Sequence, residues 1–487
     1  MREADARTIA GGVSGRELMG RAARGIFESC AWQGPVAVVC GVGNNAGDGY
    51  ALACLFSEAG IPCTVFRLSR TLTADSGYFC EKCREIGVEI CDFTENTALC
   101  SYREVVDCIF GTGFHGEVQG IFGAAIDAIN QSGAFVVSAD INSGLCGDSG
   151  IGTRCVHSDL TVSIGTLKAG VLLGDAADMI GRLTNVDIGI EIPDVHRYLT
   201  EDGDFDAVLA DRRHNSHKGT YGYVTILGGC REYAGAVKLA NLSCAALRAG
   251  CGVAKLAVPE GIADAVAPQL LESTLALLPD REGHARFDPV ALDRIFAGQA
   301  ALAVGMGWGR SEENADILRY ILQKCEIPVV IDADGLNTLA QMGTEVLAKT
   351  RCRVVLTPHP KEMERISGVP VASLLQDPVG HAERFAREHG VILLLKGTCT
   401  VVTDGRVTYL CNRGCAGMAT AGSGDVLSGV LVGLLGHAPC DALTVACGAH
   451  LTGLAGELAE RHVGAISQLA SDTVGQIPEA IRLMKTK

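Results

Sequence analysis

The chain has 487 residues, of which 48% are hydrophobic and 5% aromatic, with 61 glycines beside 14 prolines. This length is too great for one ordinary hydrophobic core, and two large domains fit best. The formal net charge of −15 argues against long nucleic acid as a partner, because the surface as a whole would repel a polyanion. The net charge does not exclude small anionic ligands, since backbone N–H groups at helix starts bind phosphates whatever the net charge.

Targeting signals and cysteines bear on the compartment. Residues 1–7 lack the apolar core of a signal peptide, and no stretch reaches the roughly 18 apolar residues that a membrane span needs. The 21 cysteines are scattered through apolar stretches, which is typical of small buried hydrophobes in a reducing compartment. Cys80 and Cys83 form one tight pair, but without a second such pair or nearby histidines they are weak evidence for zinc. We expect a cytoplasmic protein with no membrane partner.

In the first half of the chain, short apolar runs alternate with stretches of helix length. This alternation predicts a parallel sheet with helices on both faces. The segment 191–206 is acidic and weakly periodic, so it is the predicted linker, with domains over 1–204 and 205–487. The predicted strands of this half are 36–40, 63–68, 105–110, 135–139 and 160–164.

The alternation resumes after the linker and again predicts an α/β domain. Small residues dominate two late helical stretches, 425–435 and 441–458, and permit close packing of helices against a sheet. The predicted strands of this half are 223–227, 253–258, 301–304, 329–332, 354–356, 391–396 and 400–403.

The first motif that carries chemistry is the glycine-rich segment 41–49, which lies between a predicted strand and a predicted helix starting near Tyr50. Such a turn brings bare N–H groups and the positive end of a helix to a phosphate. A purely structural turn is the alternative. Asn44, Asn45 and Asp48 are polar beyond what a turn needs, which favours a binding function.

Two further clusters, 107–117 and 138–144, begin at the carboxyl ends of predicted strands. In an open parallel sheet this edge is where ligands bind. The carboxylates could instead cap helices. Because all three clusters are predicted at one edge, a shared ligand site is the better interpretation.

In the second half, the small-residue loop 416–425 ends in an aspartate at a predicted helix start. Successive N–H groups there would form an anion hole for a transferring phosphoryl group, and Asp425 would be placed to take a proton from an attacking hydroxyl. The alternative is a packing turn in which Asp425 is only a helix N-cap.

The three clusters of the first half, together with Lys168, resemble the NAD(P)H-hydrate epimerases over residues 1 to about 200. The resemblance implies that Asp140 is catalytic and that Asn45, Asp107 and Ser143 help to bind K⁺, for which hard oxygen ligands are suited. Asn142 departs from the family, which usually has proline there. The residues implied to hold the hydrated nucleotide are Asn44, Asn45, Ala46, Gly47, Asp48, Gly111, Thr112, Gly113, Phe114, His115, Gly116, Glu117 and Asp140.

The second half resembles the ADP- or ATP-dependent NAD(P)H-hydrate dehydratases of the ribokinase-like superfamily, over about residues 205 to 487. The motifs that carry this likeness are 216–222, 228–236, 332–337, 357–362, 395–398 and 416–425. The residues implied to contact the hydrate are Ala236, Gly307, His359 and Asp425, of which Asp425 is the catalytic base. The residues implied to contact the adenine nucleotide are Lys396, Gly397, Thr398, Cys399, Thr400 and Gly424.

Four positions of the second half carry a qualification or a further implied role. The resemblance implies that Glu362 orders Mg²⁺ and its waters. His359 could instead be a loop residue that only makes local hydrogen bonds, and Lys396 could instead be a solvent-exposed charge without a binding role. The segment 305–309 departs from the family's usual Gly-Pro-Gly-Leu-Gly, which weakens the assignment of Gly307.

Together the likenesses imply an α/β chain with an N-terminal Rossmann-like domain and a C-terminal ribokinase-like domain, as in bifunctional NAD(P)H-hydrate repair enzymes. The implied ligands are NAD(P)H hydrates, ADP or ATP, K⁺ and Mg²⁺, and we expect a homo-oligomer. One alternative is an ordinary ribokinase-like small-molecule kinase, whose product leaves phosphorylated. Another is a dehydratase whose N-terminal domain is a non-catalytic scaffold. The joint presence of Asn45, Asp107, Asp140 and Ser143 favours catalysis over a scaffold.

Overall fold

The computed structural model describes residues 2–192, 195–245 and 248–485. It divides into two compact units, Met1–Val195 and His196–Lys487. The division comes before the predicted boundary at 204/205 because residues 197–199, placed in the linker by their sequence, form a strand of the second unit's sheet.

The first unit is a seven-stranded parallel sheet with helices on both faces, as predicted. Its strands are β1 (Val36–Cys40), β2 (Cys63–Arg67), β3 (Glu89–Asp92), β4 (Glu104–Cys108), β5 (Phe135–Ala139), β6 (Ser158–Ile164) and β7 (Ile180–Val186). Its helices are α1 (Arg2–Ala10), α2 (Gly15–Glu28), α3 (Asn44–Glu58), α4 (Ala74–Glu85), α5 (Gly120–Asn130) and α6 (Ala176–Met179).

The strand order of this sheet, β3-β2-β1-β4-β5-β6-β7, locates its ligand crevice. Residues of β1 and β4 are buried throughout, as expected for central strands covered on both faces. The direction of winding reverses between these two neighbours, so the loops that follow them diverge. A crevice forms at the carboxyl edge of the sheet at such a switch point.

Helix α3 begins at Asn44, whereas the sequence predicted a turn as far as Gly49. Glycines are poor helix formers, so the prediction followed local propensity. Packing overrides it: a Cβ on Gly49 would lie 2.8 Å from the Cys40 sulfur, and one on Gly47 only 2.5 Å from the Met19 sulfur. The glycines therefore serve close packing of α3, whose N-cap Gly43 has a φ of 84°.

The second unit is built on a ten-stranded, mostly parallel sheet. Its strands are β8 (Arg197–Leu199), β9 (Tyr223–Leu227), β10 (Val253–Pro259), β11 (Thr274–Leu278), the hairpin β12 (Asp280–Arg281) and β13 (His284–Ala285), β14 (Ala301–Val304), β15 (Val329–Ile331), β16 (Val354–Leu356), β17 (Ile392–Leu395), β18 (Thr400–Thr403) and β19 (Thr408–Cys411). Its helices are α7 (Ala234–Ala245), α8 (Ala263–Val266), α9 (Pro289–Phe296), α10 (Glu313–Lys324), α11 (Asp334–Met342), α12 (Pro360–Ser367), α13 (Val371–Gln376), α14 (Pro378–His389), α15 (Ser423–Leu435), α16 (Ala442–Val463) and α17 (Ala470–Met484).

The order of this sheet is β11-β10-β9-β14-β15-β16-β17-β18-β19-β8, and the hairpin β12–β13 stands apart from it. The strands from β11 to β17 are parallel, whereas β18 is antiparallel to both β17 and β19. The winding reverses between β9 and β14. Loops that follow β9, β14, β15, β16 and β17 therefore meet at one edge.

Helices α7, α15, α16 and α17 pack into the core on one face of this sheet. By length and composition alone, α16 is apolar enough to cross a membrane. Most of its residues are buried among the described residues of the second unit, including both faces of its middle turns.

Candidate active sites

A cavity of about 710 Å³ opens at the carboxyl edge of the first unit's sheet, beside the switch point. It brings together most of the residues predicted to bind the hydrate: Asn44, Asn45, Asp48, Gly111, Thr112, Gly113, Phe114, His115 and Asp140. Four predicted residues do not line it. Ala46 and Gly47 are buried in the first turns of α3, and Gly116 and Glu117 are exposed beyond the cavity.

Asp140, directly after β5, is held in an unusual conformation. Its φ is 68°, which is rare for a residue other than glycine and often marks a functional site. Its N–H donates to the Val162 carbonyl at 2.8 Å, and its Oδ1 accepts hydrogen bonds from the Lys168 ammonium and the Ile164 N–H. Lys168 is only 7% exposed and also donates to the Ile164 carbonyl at 2.6 Å. Lys168 thus holds the Asp140 side chain in place in the cavity wall.

Two more carboxyl groups, Asp5 on α1 and Asp48 on α3, line the same cavity. Burial and the negative charge of Asp140 raise the pKa of Asp48 well above its ordinary value, against the opposing effect of Lys168. Burial also raises the pKa of Asp5. One lysine cannot neutralise three carboxylates, so protonation of one of them relieves their repulsion. Burial therefore favours the protonated forms of Asp48 and Asp5 in this cavity.

The three residues implied to bind K⁺ lie together next to this cavity. Asp107 is fully buried and accepts from the Ser143 hydroxyl at 2.6 Å, the Ser143 N–H at 2.9 Å and the Ser138 hydroxyl at 3.0 Å. The Asn45 amide nitrogen donates to the Phe110 carbonyl at 2.7 Å. Within the described residues, Oδ1 of Asn45 is buried without any hydrogen-bond partner. An orphaned carbonyl-type oxygen of this kind is the donor that an alkali cation takes.

In the second unit, the neighbouring strands β15, β16 and β17 bring a second lysine and two acids together. The Lys396 Nζ atom donates to Asp332 Oδ1 at 2.9 Å, and Ser428 donates to Asp332 Oδ2 at 2.8 Å. Asp332 is 1% exposed; burial opposes its ionisation, but Lys396 and these hydrogen bonds hold its pKa below the ordinary value. Nζ also lies 4.0 Å from Glu362. Lys396 is therefore an embedded ion-pair partner, not a solvated charge.

His359 and Glu362 cap helix α12 reciprocally. Nδ1 of His359 accepts from the N–H groups of Lys361 and Glu362, and Glu362 Oε2 accepts from the His359 N–H at 2.9 Å. Burial raises the pKa of Glu362, and burial together with Lys396 lowers the pKa of His359. His359 Nδ1 therefore has partners within its own helix, while its Nε2 faces Glu362 Oε1 at 3.5 Å.

Asp425 is the third residue of α15, and the N-cap is Gly422. The interpretation of Asp425 as an N-cap is therefore wrong. Burial and the nearby Asp332 raise the pKa of Asp425 to about 7, even though Lys396 acts in the opposite direction. A carboxyl group that titrates near neutral pH can exchange a proton under ordinary conditions.

The start of α15 lies against the Lys396–Asp332 pair. A Cβ on Gly424 would lie 3.4 Å from the Lys396 ammonium and 3.5 Å from Asp332 Oδ2. Helices leave their first N–H groups without helical partners, so this end is suited to an anion. The segment after Lys396 that is predicted to bind the nucleotide differs in exposure along its length: Gly397 and Thr398 are exposed, whereas Cys399 is buried.

The two predicted hydrate contacts at the β9–β14 switch point also meet. Gly307 has a φ of 62°, and a Cβ there would lie 3.0 Å from the Ala236 Cβ and 2.5 Å from the Tyr233 carbonyl oxygen. In this structure Gly307 is buried beneath the segment that carries Ala236.

Sequence reasoning missed two residues of these sites. Asp5 sits on a short N-terminal helix, far in sequence from every motif, and no local signal marked it. Ser428 sits three residues after Asp425 on α15, so a polar residue at helical spacing within an apolar stretch was the signal available.

The fold and the two sites define a class: an α/β enzyme with two units, each with acids and a lysine at the carboxyl edge of a sheet. Comparisons with known proteins identify the family within this class. Residues 224–479 match the family model described as NAD(P)H-hydrate dehydratase, and residues 15–170 match the one described as YjeF-related protein N-terminus.

Whole-length relatives have both parts. The bifunctional NAD(P)H-hydrate repair enzyme Nnr of Moorella thermoacetica is 36% identical, over 96% of this chain and 92% of its own. The Escherichia coli enzyme of the same name is 32% identical, over 95% of this chain and 88% of its own. The solved ADP/ATP-dependent NAD(P)H-hydrate dehydratase of Bacillus subtilis, co-crystallised with ATP and Mg²⁺, is 27% identical with a TM-score of 0.50, covering 59% of this chain and 99% of that one. The chain belongs to the bifunctional NAD(P)H-hydrate repair enzymes.

Proposed function

We propose that the first-unit cavity interconverts the R and S epimers of hydrated NADH and NADPH. The observation that carries this proposal is the Asp140–Lys168 pair beside Asp48 in one cavity, where burial and Asp140 raise the pKa of Asp48 well above its ordinary value. Inverting the hydroxyl-bearing ring carbon requires a proton to be given at one atom and taken at another. Asp48, whose protonated form burial favours, and Asp140, which bonds to Lys168, supply that acid and base.

We propose that the second site dehydrates the S epimer at the expense of ADP or ATP. Asp425 takes the proton of the hydrate's hydroxyl as that oxygen accepts a phosphoryl group, and the first turn of α15 holds the transferring phosphate. The ring-nitrogen lone pair then expels the phosphate, which leaves an iminium cation, and loss of a proton from the adjacent ring carbon restores the reduced nicotinamide. Lys396 keeps Asp332 ionised and adds positive charge beside Gly424.

Two cations complete the proposal. Asn45 Oδ1, with the oxygens of Ser143 and Phe110 nearby, fits K⁺, because its orphaned buried oxygen lacks any other partner among the described residues. In the second site Glu362 fits a role in holding Mg²⁺ and its waters, since it is a buried acid whose charge a cation would favour. When bound, Mg²⁺ would neutralise phosphate charge.

The decisive experiment is incubation of the enzyme with mixed hydrate epimers and ADP or ATP, following the return of reduced-nicotinamide absorbance. We expect complete return of both epimers with at least one nucleotide. Return of only half of the material would support the scaffold alternative for the first unit. A phosphorylated product that accumulates without return of absorbance would support the simple-kinase alternative and overturn the dehydratase proposal.

We also propose that the enzyme works in the reducing cytoplasm, in keeping with the free state of every cysteine that the structure describes. Assembly as a homo-oligomer stays a prediction, which light scattering during gel filtration tests.

A further inference from the structure

Away from the Lys396–Asp425 site, three metal-ligand types of side chain converge in the second unit. Cys230 lies in the loop after β9, Glu232 follows it, and His284 lies on the small hairpin β12–β13. The ligand-type atoms of these three residues all lie within 4.8 Å of one another. Cys230 is fully buried, whereas the side chains of His284 and Glu232 are 24% and 56% exposed. The cluster is therefore closed on the side of Cys230 and accessible to solvent on the side of Glu232.

Backbone contacts hold the two segments of this cluster together. The Arg231 N–H donates to the Gly283 carbonyl at 3.1 Å, which ties the β9 loop to the turn of the hairpin. From a third segment, Gly309 approaches both ligands: a Cβ there would lie 2.9 Å from the Cys230 Sγ atom and 3.5 Å from His284 Nδ1. Glycine at 309 thus leaves open a space that borders both the thiol and the imidazole.

The spacing matches a tetrahedral ion. Zn–S bonds of about 2.3 Å and Zn–N or Zn–O bonds of about 2.0 to 2.1 Å put tetrahedral ligand atoms about 3.4 to 3.6 Å apart. Here Glu232 Oε2 lies 3.3 Å from Cys230 Sγ and 3.4 Å from His284 Nε2. These two separations are those of a bound site, and the ligand-type atoms of all three residues lie within 4.8 Å of one another.

A second observation points to a missing partner. Within the described residues, Nδ1 of His284 is buried without a hydrogen-bond partner. Buried ring nitrogens nearly always have one, so an unpaired one in a polar cluster calls for a partner from outside the protein. A cation bound at Nδ1 would supply it directly, whereas a cation bound at Nε2 would fix the proton on Nδ1, which would then donate to a water.

We propose that Cys230, Glu232 and His284 form a binding site for Zn²⁺ or a similar borderline divalent cation, with water as the fourth ligand. Binding releases the thiol proton to solvent, leaving a thiolate on the metal. The ion joins the 228–236 loop to the hairpin. That loop leads into Ala236 and packs over Gly307, so the site is placed to set how firmly this segment is held.

The test uses the full-length protein, reduced with a phosphine to avoid competing thiols and freed of metal. Co²⁺ is the spectroscopic probe, because a thiolate ligand adds a charge-transfer band in the near ultraviolet. We expect one Co²⁺ per chain with that band, and displacement of it by one Zn²⁺. Cys230→Ser should abolish the band, while Glu232→Gln and His284→Gln should each weaken Zn²⁺ binding at least about tenfold, as metal-site substitutions commonly do.

The matched control is Cys100→Ser, which removes an exposed cysteine and should leave the band and the Zn²⁺ affinity unchanged. An unchanged far-ultraviolet circular dichroism spectrum and a cooperative thermal transition of the second unit would show that each variant is folded. The proposal is overturned if the wild-type protein gives no charge-transfer band, or if Cys230→Ser retains it.

Discussion

Both candidate sites pair a lysine with an aspartate, but the aspartate differs in its proposed role. In the first unit, Lys168 bonds to Asp140, the residue proposed to act on the substrate. In the second, Lys396 bonds to Asp332, and the proposed base Asp425 lies outside that ion pair with a pKa of about 7. The lysine thus bonds directly to the proposed catalytic aspartate in the first unit, whereas in the second it leaves the proposed base outside the ion pair with a raised pKa.

The largest effect is expected for Asp425→Asn, which preserves shape and removes proton acceptance. We expect the dehydration rate to fall by about 100- to 10,000-fold, as is usual when a general base is lost. Nucleotide affinity should stay within a few-fold, because backbone N–H groups at the start of α15 are retained. Stopped-flow absorbance and nucleotide titration measure the two, and the epimerase rate is the control. Dehydration near the parental rate would remove Asp425 from the mechanism.

Asp140→Asn tests the same point in the other unit. Conversion of the R epimer should fall by about 100-fold or more, towards its spontaneous rate, because the acid and base pair is broken. Dehydration of the S epimer should not change, since the second unit has its own core and site. Separate progress curves for the two epimers measure this. A folded variant that also lost S-epimer dehydration would contradict the independence of the sites.

Lys396→Met sharpens the electrostatic part of the comparison. In the wild-type enzyme, the dehydratase kcat/KM should rise with pH and level off above about 7, where Asp425 is ionised. Lys396 lowers the pKa of Asp425, so its removal should move the bend to higher pH and reduce the plateau by about tenfold or more. A pH profile from 5.5 to 9 tests this, taken as roughly the span over which such a carboxyl titrates. An unmoved bend would show that another group controls the rate.

The smallest effect concerns stability. An aspartate whose folded pKa is raised from 3.8 to about 7 destabilises the fold increasingly as pH rises between those values. Asp425→Asn should therefore stabilise the second unit at pH 8 by about 1 to 3 kcal/mol, and by much less near pH 4. Denaturant unfolding at both pH values measures it, with the exposed Asp264→Asn as the control. Equal effects of Asp425→Asn on the free energy of unfolding at the two pH values would mean that burial does not disfavour the ionised form of Asp425.

The sequence was informative about the central parts of both folds. Buried parallel strands such as β1 and β9 are continuous apolar runs, and their ends could be predicted closely. The strands missed, including β3, β7 and β8, carry polar residues at exposed or half-exposed positions and lack that pattern. Their place in the sheets depends on neighbours distant in sequence.

The sites show the same division. Motifs at strand ends predicted the positions of Asp140 and Lys396, because topology brings strand ends together, and a small-residue loop before a helix predicted the position of Asp425. No local pattern predicted that Asp5 would line the first cavity or that Ser428 would bond to Asp332. Likewise, the electrostatic difference between Asp332 and Asp425 depends on which of them the Lys396 side chain reaches.

Strand β8 has a practical consequence for separating the two activities. It supplies the edge of the second sheet by pairing with β19, and Arg197 forms an ion pair with Glu383 at 2.8 Å. A dehydratase fragment that began at residue 205 would lose this strand and expose the backbone hydrogen-bonding groups of β19. Such an exposed edge promotes edge-to-edge aggregation. A fragment intended to remain monodisperse should therefore start at His196 or earlier.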